Sequence, residues 1–517
     1  MASKLVKGSA IILIGNIIFR IGGYVQRFIM ATLLGPAAYG IWGLTTPFQG
    51  IFQTLSAAGL PPAIAKYVSE YTALEEEDLA RQTIFTALKI MLFLGIFFGF
   101  VMVFIAAPIF TDFFGKPEAL LPLRAVGLMT PFSVIVGAFR GAFQGVYKME
   151  YILYTRAIEQ IVMILAGTAL VLLGLSTLGA VLGTVLGFAV AAVSAIYIFK
   201  RYMNKYIAPK NPNFDFPLKA ELKLAGRLVK FAIPVSITGL AEMGIYSICT
   251  FIMGAFLTAA AVGYFTAADP IARLPLIVSI SLATTILPAV SEAYALEDRK
   301  QLQKYVNDAY KYGMVLVIPM CVGIAVFAKE ILGLVYFTNG AYMNGGAALS
   351  ILVIGMTFYS IYSISGSILQ GIGNPRIPMY ILLLGCVATA FLGYYFIPIY
   401  GIAGGALATT ITSLGMMIPM VIITHRVTKT HAPYMFLLKI TIASIIMGLP
   451  ALVLPDNLLG LIAGLIICPI IYVVFIVLLR TLSHEDIEGF RGLAGKFGPM
   501  KKYANKFLDV LDKYSYN

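Results

Sequence analysis

Apolar runs of about 20 residues follow one another from end to end of the chain, each long enough to cross a bilayer as a helix. Breaking them at charged residues, Gly/Pro clusters and Asn predicts fourteen spans, at about 8–33, 40–65, 83–107, 120–146, 153–174, 177–199, 229–256, 262–290, 311–329, 346–370, 377–398, 401–424, 435–454 and 458–480. The first run starts behind Lys4 and Lys7 and continues to about Leu33 with no small-residue cleavage site, so it reads as a retained span rather than a signal peptide. The expected fold class is an all-α polytopic membrane protein.

An internal repeat organises these spans. Sliding the chain along itself until Val6-Lys7 meets Val229-Lys230 also matches Phe28-Ile29-Met30 with Phe251-Ile252-Met253, Gly40 with Gly263 and Pro47 with Pro270. A slip of a single position then pairs Val68-Ser69-Glu70 with Val290-Ser291-Glu292 and Ala73-Leu74-Glu75 with Ala295-Leu296-Glu297, and Gln144-Gly145 corresponds to Gln370-Gly371. Six spans per repeat is an even number, so both repeats enter the membrane from the same side, with a site expected between them near mid-depth. The predicted organisation is a six-helix lobe at 1–199, a basic cytoplasmic linker at 200–228 and a second six-helix lobe at 229–425. Two extra spans at 426–480 and a cytoplasmic amphipathic tail at 481–517 complete it.

Composition agrees with this pattern. Of the 517 residues 60% are hydrophobic and only 12% charged, with a mean hydropathy of +0.90, too apolar for a soluble chain to hide. With the N-terminus in the cytoplasm, Lys116, Arg124 and Lys329 fall outside and Arg20, Arg27, Arg140 and Arg273 fall within the membrane, while the rest of the 37 Lys and Arg lie on the cytoplasmic side. The expected location is therefore the cell membrane, with both termini cytoplasmic. The net charge of +13 is mostly topology and contact with membrane lipids, and it gives no reason to invoke nucleic acid. Cys249, Cys321, Cys386 and Cys468 fall in apolar spans without ligand spacing, and His425, His431 and His484 fall in expected loops without forming a metal cluster. No P-loop or nucleophile elbow is present, so a transporter is expected rather than an enzyme.

Charges at bilayer depth are costly and normally face a cavity or each other. The first repeat holds Arg20, Arg27, Arg140 and Glu159, and the second holds Glu242, Asp269 and Arg273. Arg20 and Arg27 lie nearly two helical turns apart, on one helix face and roughly 10 Å apart along the axis. Asn16, Arg20, Gly23 and Arg27 form one stripe, and Ser133, Gly137, Arg140, Gly141 and Gln144 form another. Guanidiniums lining a cavity suit a phosphate or diphosphate, which they bind bidentately. The alternative is that Glu159 neutralises one arginine while others snorkel to the interface. Asp269 and Arg273 stand at i,i+4 and pair on their own helix in the structural reading. Glu242, Asp269 and Glu159 are candidate carboxylates for coupling to Na⁺ or H⁺, and no other cofactor is expected. Asn16, Arg20, Arg27, Arg140, Gln144 and Arg273 are the candidate substrate contacts. In the second repeat Met243 replaces Arg20 and Thr250 replaces Arg27, so the shared scaffold does not need these cations.

The stretch ATLLGPAAYGIWGLTTPFQGIFQTLSAAGLPPAIAKYVSEY (31–71) resembles the start of the polysaccharide and lipid-linked oligosaccharide flippases. ADPIARLPLIVSISLATTILPAVSEA (268–293) and ILQGIGNPRIP (368–378) are similar to their counterparts in that family. The family includes stage V sporulation protein B and the lipid II flippases, within the multidrug/oligosaccharidyl-lipid/polysaccharide exporter superfamily. The resemblance implies a monomer that moves a polyprenyl-diphosphate-linked oligosaccharide from the inner to the outer leaflet. It also implies alternating access around a cationic cavity, driven by an ion gradient or the membrane potential, and it gives Arg20 a substrate role by position. The second span-one arginine of the lipid II flippases falls on Gln26, with Arg27 one place along, and their Ala-Asp-Arg on span eight reads Ala268-Asp269-Pro270. The cargo is therefore open between lipid II and a related glycolipid. The competing expectation is a cation-coupled multidrug exporter of the same superfamily, which should carry an acid-rich cavity and usually twelve spans.

Overall fold

The computed structural model describes the backbone of residues 2–207, 216–430 and 433–481, and their side chains except those of residues 2–18, Arg20, Asn204 and Tyr246. The side chains of Asn16 and Arg20, part of the basic linker, His431, His484 and the tail beyond residue 481 thus lie outside the described residues. In chain order the helices are α1 (Ala2–Ala57), α2 (Leu60–Ala73), α3 (Glu77–Val101), α4 (Ala107–Phe114), α5 (Leu120–Gly145), α6 (Met149–Leu170), α7 (Ser176–Tyr202), α8 (Leu218–Phe256) and α9 (Ala259–Ala272). There follow α10 (Leu276–Ala295), α11 (Arg299–Val326), α12 (Ala328–Val335), α13 (Gly346–Gly371), α14 (Arg376–Tyr400), α15 (Ile402–Thr428), α16 (Tyr434–Gly448) and α17 (Leu458–Leu478). No strand occurs among the described residues. Among the described residues, twelve helical stretches are long and apolar enough to cross a membrane. The chain is a multi-pass membrane protein.

Two of the twelve stretches, Ile21–Ala73 and Met149–Tyr202, run to 53 and 54 residues. At 1.5 Å per residue each is well over twice the hydrocarbon thickness of about 30 Å. Each contains a break where its sequence demands one. α1 turns at Gly35, whose φ of 70° and ψ of 172° suit a residue without Cβ, and Pro36 restarts the helix with its preset φ. α6 gives way to α7 at Gly174, with φ 93°. His425, expected in a loop, sits in the last turn of α15, because the helical pattern runs on to Thr428.

Two backbone features recur at positions that the sequence match pairs. The Gly35–Pro36 break of α1 is matched, at the equivalent place in the second repeat, by the gap between α8 and α9, where Leu257 is extended. α2 ends at Ala73 and α10 at Ala295, and the next turns both place a glutamate in the left-handed region, Glu75 at φ 61° and Glu297 at φ 53°. These are positions that the sequence repeat pairs.

Two compact units divide the chain: Met1–Ala267 with Gly393–Ile402, and Ala268–Leu392 with Ala403–Asn517. In the first, α2, α3 and α5 share a core that includes Leu60, Ile64, Val68, Ile84, Met91 and Phe143. α8 is one continuous helix through the expected linker boundary at residue 228, and its Leu224, Leu228 and Ala232 enter that same core. Glu221 anchors it by accepting from Lys89 at 2.8 Å and Thr86 at 3.2 Å, both on α3. Hydroxyls supply the directional ties between apolar helices, where lipid gives little hydrophobic drive to associate. Thr130 of α5 donates to the Gly95 carbonyl of α3 at 2.7 Å, and Thr177 of α7 to the Ala38 carbonyl of α1 at 3.0 Å. In the second unit Thr410 of α15 donates to the Ile351 carbonyl of α13 at 2.8 Å, and Tyr472 of α17 to the Val315 carbonyl of α11 at 2.6 Å.

Lys116, in the turn after α4, is almost wholly buried and donates to the carbonyls of Phe114 at 3.1 Å and Gly254 at 2.5 Å. It caps the end of α8, where a cation suits the helix dipole. Burial pushes its pKa below the ordinary lysine value, partly offset by Glu118. The folded chain therefore gives up this proton at a lower pH than the unfolded chain. Between those two pH values the unfolded chain binds more protons, so stability rises with pH toward about 10.4, and the gain is lost as pH drops back to the folded value. Thermal melting of detergent-purified protein from neutral to alkaline pH should show this rise, and Lys116→Met should lose it.

Candidate functional site

Three faces of α1 are distinguishable between Phe19 and Arg27. Ile21 and Val25 are exposed, forming an apolar outward face. Phe19, Gly22 and Gln26 face α6. The Arg156 guanidinium lies 5.8 Å from the centre of the Phe19 ring, and Gln160 Nε2 donates to Gln26 Oε1 at 3.4 Å. A Cβ on Gly22 would stand 3.0 Å from Gln160 Cγ. At 100° per residue, positions 20, 23 and 27 fall on the third face, roughly 140° round from the exposed apolar one. A Cβ on Gly23 would meet no heavy atom within 4 Å, so this face looks onto open space. Arg27 is half-buried there and makes no hydrogen bond or ion pair among the described residues. The backbone of α1 carries positions Asn16 and Arg20 into the same stripe.

Arg140 is placed differently. Its Nε donates to Thr155 Oγ1 at 3.0 Å and its Nη2 to Glu159 Oε2 at 2.7 Å, joining α5 to α6 with the two side chains only 17% and 15% exposed. Glu159 thus neutralises Arg140, while Gln144 one turn on is exposed. Other members of the expected second stripe are packing residues. Ser133 is buried and donates to the Thr130 carbonyl, and Gly141 lies against the Pro61 carbonyl. The structure therefore links Gln26 to Gln160 and Phe19 to Arg156 between α1 and α6, and Arg140 to Thr155 and Glu159 between α5 and α6, while Arg27 and position 20 lie on a separate face of α1.

Glu242, on α8, is exposed and makes no hydrogen bond or ion pair among the described residues. In the second unit Arg273 donates Nε and Nη2 to Asp269 Oδ1 at 2.9 and 2.5 Å, an i,i+4 pair on one stretch of chain. Sequence reasoning misses the Gln26–Gln160 and Phe19–Arg156 contacts. Their i,i+7 and i,i+4 spacings on α1 and α6 are the signal that could have found them.

These features sit in a recognisable sequence frame. The family model described as polysaccharide biosynthesis protein matches residues 5–294, more than half of the chain and all of the α1–α6 site. The chain belongs to this family. A second family model, MatE, matches residues 234–395. The chain is 27% identical over 439 residues to the uncharacterized membrane protein MJ1375 of Methanocaldococcus jannaschii, covering 82% of this chain and 99% of that one. It is 24% identical over 484 residues to the lipid II flippase MurJ of Bacillus subtilis, covering 87% of each. Among solved structures, the inward closed conformation of lipid II flippase MurJ superposes with a TM-score of 0.74 at 19% identity, covering 90% of this chain and 98% of that one. An inward-facing multidrug resistance MATE family transporter gives 0.68 at 17% identity, covering 79% and 94%. At these identities the superpositions establish the fold that this polysaccharide-biosynthesis family member shares with them.

Proposed function

We propose that the chain is a flippase that moves a polyprenyl-diphosphate-linked oligosaccharide from the inner to the outer leaflet of the cell membrane by alternating access. The observation that carries this reading is the cationic face of α1. It points away from the exposed apolar side, looks onto open space at Gly23, and holds Arg27 without a protein partner among the described residues. The repeat-equivalent helix α8 keeps the scaffold without these cations, having Met243 and Thr250 instead. An anionic diphosphate accounts for that asymmetry, because guanidinium presents paired donors to such groups. The twelve apolar stretches, two of them long enough for two crossings each, support fourteen crossings, as two six-span repeats followed by α16 and α17. The lipid II flippase among the relatives supports the same cargo class.

Coupling to Na⁺ or H⁺ is assigned to Glu242. Glu159 is held by Arg140 and Asp269 by Arg273, whereas Glu242 has no such cation beside it among the described residues. The decisive experiment reconstitutes the purified chain in liposomes loaded with a fluorescent polyprenyl-diphosphate sugar. Outer-leaflet exposure is then followed with and without a Na⁺ or pH gradient. Translocation that exceeds protein-free liposomes, and depends on the gradient in wild type but not in Glu242→Gln, is the expected result. Export of cationic dyes with no glycolipid movement would replace this reading with that of a multidrug exporter.

A further inference from the structure

The spans that stand outside the duplication, α16 and α17, pack on α11 unevenly along its length. Near one end Phe327, just past α11, is buried in an apolar cluster with Met447 of α16 and Leu461 and Cys468 of α17. Midway along, Tyr472 of α17 reaches the Val315 carbonyl. Toward the other end the helices part around a cavity of about 320 Å³, a volume in the range of ligand sites. It is lined by Tyr310 of α11, Ile361 of α13, Ile418 and Ile422 of α15, and Tyr434 and Leu437 of α16. All of these residues belong to the second compact unit. The lining is almost wholly apolar, and the buried Tyr310 hydroxyl is already satisfied. Ser365 donates to the Ile361 carbonyl at 2.8 Å, so Tyr310 donates to Ser365 at 2.7 Å. Such a cavity gives ordered water no polar partners. Its rim residues Ile418, Ile422 and Tyr434 are exposed, and on a chain that crosses a membrane an exposed apolar rim meets hydrocarbon.

Cations gather where this cavity ends. Arg426 lies one turn beyond Ile422 on the same face of α15, and Lys311 follows Tyr310 on α11, its Nζ 5.4 Å from the centre of the Phe436 ring of α16. Arg426 and Lys429 are exposed and make no hydrogen bond or ion pair among the described residues. Asp308 is the one acidic residue within a turn of Tyr310, Ile422 or Tyr434. We propose that this cleft is the seat of a resident anionic phospholipid of the inner leaflet, with one hydrocarbon chain in the cavity and the phosphate held by Arg426 and Lys311. The positive-inside distribution puts this end of α11, α15 and α16 on the cytoplasmic side, where basic pockets between transmembrane helices recognise anionic headgroups. Guanidinium gives such a phosphate paired donors. The chain supplies the contacts that the lining atoms lack across the gap, and so completes the seam between α16 and the second repeat. The site shares no residue with the α1 stripe and does not depend on the cargo.

The test strips full-length protein of lipid in detergent and offers it phosphatidylglycerol or phosphatidylcholine, with bound lipid counted by native mass spectrometry. Wild type should bind one phosphatidylglycerol about tenfold more tightly than phosphatidylcholine, and its melting temperature should rise with the first lipid. Arg426→Gln with Lys311→Gln should abolish both the preference and the rise. Ile422→Trp, which fills the cavity, should lower the binding of both lipids. The charge variant adds no bulk and so reports even if Ile422→Trp does not fold. Equal binding of the two lipids by wild type, a preference that survives in the charge variant, or binding unchanged in folded Ile422→Trp would each overturn the site. Displacement of bound phosphatidylglycerol by an equal concentration of polyprenyl diphosphate would overturn it too, by giving the cleft to the cargo's chain. Lipid binding that behaves as expected in a wild type that moves no glycolipid would sink the cargo reading and leave this site standing.

Discussion

Replacing Arg27 by threonine should cut glycolipid translocation by about 10- to 150-fold, the worth of one charge-assisted contact of roughly 1.5–3 kcal/mol. Threonine is the choice because the second repeat already carries it, at Thr250, in a helix that keeps the same Phe-Ile-Met neighbours. Arg27 makes no hydrogen bond or ion pair among the described residues, so its loss should leave folding nearly unchanged. Arg27→Lys should restore only part of the rate, since an ammonium cannot present two parallel donors to a diphosphate. Arg20→Ala should be similarly impaired. The double variant should fall short of the sum of the two losses, because two cations gripping one anionic group do not act independently. The measurement is the initial rate of outer-leaflet exposure per folded protein in liposomes. Wild-type rates in both single variants would remove the α1 stripe from the cargo path.

Much of the architecture is legible in the sequence because a bilayer permits few alternatives: apolar runs of a given length must be helices, and breaks fall where Gly and Pro collect. Gly35-Pro36 ends one span and starts the next as the pattern requires. The repeat is legible too, down to the paired turns at Glu75 and Glu297. Partnerships across helices are less so, because spacing along one helix does not say which face meets which neighbour. The pairing of Arg140 with Glu159 is one of two readings open in the sequence, separated by the orientation of α5 against α6. Gly40 and Gly263 match in sequence, yet the match alone gives no sign that they touch. Lys116 reads simply as a cation on the outer side, but its buried contacts depend on where α8 ends. The continuity of α8 through residue 228 is masked by the charges of its first turns, which serve docking to α3.

Arg140 and Glu159 provide the second large effect, on stability, and they decide how far the cargo site extends beyond α1. Glu159→Ala leaves a guanidinium largely out of water with Thr155 as its remaining hydrogen-bond partner among the described residues, which should cost about 3–5 kcal/mol. Arg140→Ala leaves the converse carboxylate and should cost less, because a carboxyl can neutralise itself by taking up a proton and arginine cannot release one. Replacing both with apolar residues of similar size, Arg140→Met with Glu159→Leu, should recover most of the loss, since the pair's mutual attraction mainly repays its own desolvation. Thermal or denaturant melting in detergent reads all three, and coupling near zero would show that the pair is not a structural unit. The same variants then test function. If the apolar double variant folds and still moves glycolipid at the wild-type rate, the Arg140–Glu159 pair is a strut that holds α5 to α6 and positions α1, and the diphosphate is gripped by the α1 stripe alone. If it folds but does not transport, the ion pair must open during the cycle, with Arg140 exchanging Glu159 for the cargo.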